Sequence, residues 1–207
     1  RDWTYGPGCE SAFMAFDPND PTLVFGGCYQ GYIEVLNRKT NESKDIQAYP
    51  TMNLAIQPKE MKYRFNWNAP IVRGNRPGVL FVASQYVYKS TDRGEEWKRI
   101  SPDLTTNDPA KLGQDDNGGL TLDNSSAENH CTVFTIAESP LDSNVILVGT
   151  DDGNLQATTD GGASWTKLNE RISSVATCIP VNIVPIIFSC PALLLHNAPR
   201  RATKVFV

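Results

Sequence analysis

The chain has 207 residues, enough for one domain with a substantial core, and its 40% hydrophobic and 20% charged residues are ordinary for a soluble globular protein. The formal net charge is −4 and the 19 lysines and arginines are scattered, which argues against a basic stripe of the kind that holds nucleic acid. The 15 glycines and 14 prolines fall between short apolar runs, and no segment sustains a helical apolar period, so the chain is expected to be all-β with many turns and no long helix.

In chain order, residues 1–8 are polar and aromatic, with a Gly6-Pro7-Gly8 break, and read as an entry strand or loop. Residues 11–16 read as a strand and Asp17-Pro18-Asn19-Asp20-Pro21 as a turn, because proline presets φ and Asp/Asn side chains bond their own backbone. An apolar strand over 23–28 follows, Gln30-Gly31 turns into a strand over 32–36, and a return strand near 44–48 closes a first four-stranded unit. Residues 49–63 are a connector of mixed character. A second unit takes strands at 69–73, 79–84, 86–90 and 98–100, with Asn75-Arg76-Pro77-Gly78 as its first turn. Residues 101–129 are rich in Asp, Asn, Gly and Ser and lack an apolar period. They read as an insertion, the kind of long loop that carries function or disorder. A third unit follows at 132–138, 145–150, 155–159 and 166–169.

The runs Val79-Leu80-Phe81-Val82 and Val145-Ile146-Leu147-Val148 do not alternate apolar with polar. Strands apolar on both faces need cover on both sides, which sheets stacked face to face provide. Beyond residue 171 the pattern fails, dividing the chain into 1–171 and a nonconforming tail, 172–207. Residues 178–195 are strongly apolar and precede Arg200, Arg201 and Lys204, a length near the ~17–25 residues of a membrane span. Pro180, Pro185 and Pro191 would interrupt its helical hydrogen bonds, so a membrane anchor is the weaker reading. A foreign, frame-altered or irregular edge segment is the stronger one.

One phrase occurs twice in equivalent places. Ser90-Thr91-Asp92-Arg93-Gly94-Glu95-Glu96-Trp97 follows the third strand of the second unit, and Thr158-Thr159-Asp160-Gly161-Gly162-Ala163-Ser164-Trp165 that of the third. Self-similarity with matching context marks a structural repeat. An Asp at a tight turn accepts backbone N–H groups, and a glycine two residues on supplies φ > 0. The tryptophan then starts the next strand and buries a large face. Ser90, Asp92, Gly94, Trp97, Thr158, Asp160, Gly162 and Trp165 are therefore read as structural. Residues 37–43 hold the same place in the first unit but lack the Asp-x-Gly core.

The cassette resembles the Asp-box, or bacterial neuraminidase repeat, of the outer hairpins of β-propeller blades in sialidases, sortilin-type receptors and xyloglucan-cleaving hydrolases. The phrases Arg64-Phe65-Asn66-Trp67-Asn68-Ala69-Pro70, Ser101-Pro102-Asp103-Leu104-Thr105 and Ala137-Glu138-Ser139-Pro140-Leu141 are similar to those of large secreted bacterial proteins described as sortilin-like or glycosyl-hydrolase-like repeat proteins. The resemblance covers about residues 9–171 and implies a partial propeller of three four-stranded blades. Closed propellers carry about four to eight blades, so three expose edges and favour self-association of an isolated piece.

Catalytic motifs are absent from the sequence: no Gly-x-Ser-x-Gly, P-loop or Gly-x-Gly-x-x-Gly. Five cysteines (Cys9, Cys28, Cys131, Cys178, Cys190) show no C-x-x-C spacing, so neither a zinc site nor a cofactor is expected. Cys9 and Cys28 flank the first strands and read equally as a disulfide of an exported chain or as buried thiols. His130 adjoins Cys131, but neighbours along a strand point to opposite faces, and nothing brings His196 to His130. The sequons at Asn41 and Asn124 matter only in a glycosylating host. The opening Arg1-Asp2-Trp3 reads as that of an excised or mature fragment.

Glycosidases use two carboxylates roughly 5–9.5 Å apart. The candidates are Glu10, Asp115, Asp116, Asp123, Glu128, Glu138, Asp151 and Asp152, and no spacing rule selects a pair. Asp151-Asp152-Gly153-Asn154 reads as a hairpin turn, and residues 115–119 lack the acid spacing of a calcium loop. Glu128 and Glu138 flank a strand and have access to a central channel. Trp67, flanked by Asn66 and Asn68, suits stacking on a sugar ring; the other reading is a buried tryptophan with its N–H paired. The expectation is a secreted or periplasmic, non-catalytic binding or scaffold module recognising protein or glycan through Asn66, Trp67, Asn68 and Glu128. The alternative is a fragment of a glycoside hydrolase whose catalytic residues are unassigned.

Overall fold

Short apolar strands separated by Gly/Asx turns can satisfy their backbone only by pairing with their immediate neighbours, and these do so in chain order. The computed structural model describes residues 3–9, 13–17, 19–51, 53, 56–113 and 129–169. The tail 172–207, Glu10, Asp115, Asp116, Asp123, Glu128, Cys178, Cys190 and His196 lie outside the described residues.

The first sheet runs β1 (Met14–Asp17), β2 (Asp20–Gly27), β3 (Ile33–Asn37) and β4 (Glu42–Asp45) in the order β1-β2-β3-β4. The second is β5 (Ile71–Arg73), β6 (Leu80–Ala83), β7 (Val87–Ser90) and β8 (Lys98–Arg99), in the order β5-β6-β7-β8. The third is β9 (Val133–Glu138), β10 (Ile146–Thr150), β11 (Leu155–Thr158) and β12 (Thr166–Lys167), ordered β9-β10-β11-β12. All pairings are antiparallel. The described helical structure is a single turn, α1 (Pro109–Leu112), whose N-cap Asp108 accepts the Ala110 N–H at 3.0 Å, and two short 3₁₀ turns.

Two cores lie between the sheets. Phe25, Ile33, Leu80, Val82 and Tyr88 fill the space between the first and second, joined by Tyr63 and Phe65 from the connector. Phe81, Ala83, Val87, Val133, Ile146 and Val148 fill the space between the second and third. Strand β6 thus sends Leu80 and Val82 to one side and Phe81 and Ala83 to the other, and all four are buried. This explains the unbroken apolar run: each side chain covers a neighbouring sheet, contributing about 1.5–3 kcal/mol for the larger ones. Four-stranded antiparallel meanders stacked face to face make a partial β-propeller.

Strand ends lie within three residues of their sequence positions, with the largest shifts in the first sheet. The turn of the first sheet is set by Asn37, whose carbonyl accepts the Asn41 N–H at 2.7 Å while Asn41 takes φ 60°, so β4 starts at Glu42. Residues 101–113 depart further from the loose insertion expected of them. Leu104 is fully buried, its N–H reaches the Gln85 carbonyl at 3.1 Å, and its own carbonyl accepts Asn154 Nδ2 (3.0 Å) and Gln156 Nε2 (2.7 Å).

The two cassettes make the same bonds. Ser90 Oγ accepts the N–H groups of Asp92 (3.2 Å) and Gly94 (2.8 Å) and donates to Asp92 Oδ1, which also accepts the Glu96 N–H at 3.0 Å. Thr158 Oγ1 accepts from Asp160 (3.3 Å) and Gly162 (3.0 Å) and donates to Asp160 Oδ1, which accepts the Ser164 N–H at 2.9 Å. Each hairpin then leans on the preceding blade. The Trp97 indole N–H donates to the Ile46 carbonyl (2.7 Å), and that of Trp165 to the Ile100 carbonyl (2.9 Å). A Cβ on Gly94 would lie 2.7 Å from Ile46 Cδ1, and one on Gly162 would lie 2.5 Å from the Ile100 carbonyl oxygen. With φ of 93° and 103°, these positions require glycine twice over.

The leading blade is held differently. Cys9 and Cys28 form a disulfide, the Cys9 N–H donates to the Gly27 carbonyl (3.0 Å) and the Gly8 N–H to Glu34 Oε1 (2.6 Å). The entry segment thereby lies along the outward side of β2, where the Pro7 carbonyl would stand 2.5 Å from a Cβ on Gly26. Met14 and Phe16 remain 57% and 59% exposed on that side.

Candidate functional site

A meander places its loops at two ends. The β1–β2, β5–β6 and β9–β10 turns share one end with the cassettes. The β2–β3, β6–β7 and β10–β11 loops share the other with the described connector residues 46–51, 56–70, 100–113 and 129–132, where long loops stand on rigid sheets.

At its centre is Arg64, buried although charged. Its Nη2 donates to Asp103 Oδ2 at 3.1 Å, its Nε to the Cys131 carbonyl at 3.3 Å, and its backbone N–H to Gln85 Oε1 at 2.8 Å. Gln85 Nε2 returns to the Lys62 carbonyl at 3.0 Å. Asp103 Oδ1 accepts the Thr105 N–H (2.9 Å) and hydroxyl (2.6 Å). A buried guanidinium is tolerated because a carboxylate and a carbonyl replace its water.

Asn66 and Asp151 form a second knot. Asn66 Nδ2 donates to Thr132 Oγ1 (3.0 Å) and Asp151 Oδ2 (3.3 Å), and its Oδ1 accepts the Asn68 N–H at 3.0 Å. Thr132 donates its N–H to Asp151 Oδ1 (2.9 Å) and its hydroxyl to Oδ2 (2.7 Å). His130 Nδ1 stands 3.8 Å from Asp151 Oδ1. Asp152 accepts the Thr106 N–H (2.6 Å) and hydroxyl (2.7 Å) as well as the Thr150 hydroxyl. Burial opposes charge on Asp152, yet these donors outweigh it and hold the carboxyl below its usual range. Beside it, burial pushes the Cys131 thiol up, which makes it a poor nucleophile.

Trp67 is half-buried, its ring 5.8 Å from that of Tyr29 and tilted by 58°. Among the described residues no acceptor meets its indole N–H. Of the sequence-predicted trio, only Trp67 therefore offers an unused polar atom, since the Asn66 amide is absorbed in joining the connector to the third blade. Glu138 sits at the far end of β9, where its Oε2 accepts the Asn75 N–H across the seam between blades. Asp151 and Asp152 occupy the predicted hairpin turn. Among the described residues, no group of three or more His, Cys, Asp and Glu could hold a metal.

Sequence reasoning passed over an aromatic row on the same end. Tyr49 stacks on Tyr63 with centroids 4.2 Å apart, Tyr63 meets Tyr86 edge-on at 6.2 Å, and Arg99 lies over the Tyr86 ring at 4.8 Å. The signal available was the number of tyrosines in the connector and the β6–β7 loop. A pocket at the cassette end, lined by Arg73, Arg76 and Arg93, holds only about 10 Å³, room for a water.

No protein-family model matches the sequence, and no curated protein matches it. Solved structures with a similar course include YCF48 from Cyanidioschyzon merolae, at 18% identity and TM-score 0.41 over 76% of this chain and 36% of that one. A GH74 xyloglucanase from Xanthomonas campestris is 17% identical with TM-score 0.47, over 76% of this chain and 20% of that one. An ancestral GH74 enzyme is 14% identical with TM-score 0.44, over 75% and 17%. The chain spans about a third or less of the length of each of these structures.

Proposed function

We propose that this chain is a non-catalytic binding or scaffold module of an exported propeller protein, recognising a protein or glycan ligand at its loop end. The observation that carries this reading is Trp67: a half-buried indole braced by Tyr29, beside a side-chain framework fixed by hydrogen bonds. Such a ring stacks on a sugar or packs on an apolar side chain at little entropic cost, and its N–H supplies direction. The described carboxylates support binding over hydrolysis. Asp103, Asp151 and Asp152 are each occupied by two or more donors, and those on Asp152 hold its carboxyl below its usual range, opposite to the raised value a general acid needs. The Cys9–Cys28 bridge supports an oxidising, extracytoplasmic location.

The test is a screen of oligosaccharides and peptides against the intact chain, followed by titration with tryptophan fluorescence as readout. A ligand whose affinity falls at least tenfold in Trp67→Ala, with unchanged melting, is the expected result. Turnover of a bound oligosaccharide would sink the non-catalytic reading. A ligand bound equally well by Trp67→Ala would move the site elsewhere.

A further inference from the structure

At one left-handed position the two cassettes carry opposite residue types. Arg93 stands in the second blade where Gly161 stands in the third, with φ of 64° and 72°. Their N–H groups make the same bond, to the Gly78 carbonyl (2.9 Å) and the Asn144 carbonyl (2.9 Å), so the turn needs no side chain there. Glycine suits this backbone, whereas the Cβ of an arginine crowds the carbonyl that follows it. A strained residue kept where its twin is glycine points to a use for its side chain. That side chain lines the cleft between the first and second blades. Its Nε donates to Asp17 Oδ2 at 3.1 Å, and Asp17 is only 4% exposed. The bond orients the guanidinium, whose Nη groups have no partner among the described residues. Arg73 and Arg76 line the same cleft, both exposed, and among the described residues neither pairs with a carboxylate. Three guanidiniums thus meet the single carboxylate of Asp17, leaving two positive charges uncompensated on a chain whose net charge is −4. Lys89 lies in the same field: burial lowers its ammonium below the usual range, Glu138 opposes that, and Arg76 adds to it.

We infer that the mouth of this cleft binds a dianionic oxyanion, phosphate or a phosphate monoester, through the guanidiniums of Arg73, Arg76 and Arg93. The cleft itself has room only for a water, so the anion rests at the mouth, where the arginines are exposed. Guanidinium forks donate in pairs to phosphate oxygens, which is why arginine serves such groups better than a point charge. Charge selects among oxyanions. A phosphate group carries nearly two negative charges at neutral pH and matches the two uncompensated positive ones, whereas a carboxylate leaves one unmatched. The site lies at the cassette end, opposite the loop end that holds Trp67, and does not depend on the loop-end ligand.

The test titrates inorganic phosphate and phenyl phosphate separately into the full chain by calorimetry at low ionic strength, with acetate as the monoanionic comparison. One saturable phosphate site per chain is expected. Arg76→Gln should weaken it at least tenfold with unchanged melting, because Arg76 makes no ion pair among the described residues. Arg93→Gly, which copies the third blade's cassette, should weaken it as much, and its melting transition is recorded because it frees Asp17. Lys167→Gln removes an exposed charge from the third blade and should leave binding intact. Tighter binding of the ester identifies a phosphate carried on a larger ligand, and tighter binding of the free ion identifies inorganic phosphate; both support the site. Absence of saturable binding, equal binding by Arg76→Gln, an equal loss in Lys167→Gln, or acetate bound as tightly as phosphate would each overturn the assignment.

Discussion

The hairpin of the leading blade and the hairpins of the two blades after it make the same turn by different means. At residues 37–41, Asn37 Oδ1 accepts the N–H groups of Lys39 (2.9 Å) and Thr40 (3.3 Å), and the chain reverses without an acid, glycine or indole. At residues 90–97 and 158–165, a hydroxyl and a carboxylate do that work, and the glycine and tryptophan reach outside the hairpin to Ile46 and Ile100. The difference teaches that the cassette's acid and hydroxyl make the turn, whereas its glycine and tryptophan join sheets. The leading blade, with neither, is secured by the Cys9–Cys28 bridge to its entry segment instead.

The sharpest test of that division is Gly162→Ala against Gly153→Ala. Both have positive φ, but the first places a methyl 2.5 Å from the Ile100 carbonyl oxygen and the second meets nothing within 4 Å. The expected losses are about 2–4 kcal/mol for Gly162 and about 1 kcal/mol for Gly153 by chemical denaturation. Equal losses would reduce the glycine to a turn residue. Reduction of the disulfide, which spans a separation of 19 residues, is expected to cost about 3 kcal/mol and to loosen the leading blade selectively, read by hydrogen exchange at residues 23–37. Protection lost evenly across the three sheets would contradict independent fastening.

Trp165→Phe keeps the ring packing and removes the donor, so about 1 kcal/mol is expected, and Trp97→Phe should match it because the two geometries match. The smallest effect is that of acid. The Ser164 hydroxyl and N–H hold the Asp160 carboxyl below the ordinary carboxylate range, and the Glu96 N–H and Ser90 hydroxyl do so for Asp92. A carboxyl lowered by folding stabilises above its unfolded value of about 4 and loses that contribution as pH falls toward its folded value. Thermal melts should therefore weaken below pH ~4, and Asp160→Asn should melt lower at neutral pH with a flatter acid limb. An unchanged limb would remove Asp160 from the linkage.

Much of this architecture was legible in the sequence. The run 79–82 is apolar at consecutive positions because β6 is covered from two sides, whereas a strand with one wet face would alternate. The cassettes declared their hairpins because turn chemistry is local. What stayed hidden depends on partners far along the chain. Arg64 is fixed by Asp103 and Cys131, Asn66 by Thr132 and Asp151, and Leu104 by Asn154 and Gln156, and none of these pairs leaves a period or a motif. Trp67 stood out because of its flanking amides. Yet the Asn66 amide is an internal tie, whereas among the described residues no acceptor meets the Trp67 indole N–H.

The indole contacts also give the stack a direction. Each sheet after the first overlaps its predecessor like a roof tile, anchored at Ile46 and then at Ile100, so damage to an anchor is felt in the sheet downstream of it. A fault in the exit strand of the first blade would loosen the second through Trp97, while a fault in the cassette of the third would leave both upstream sheets seated.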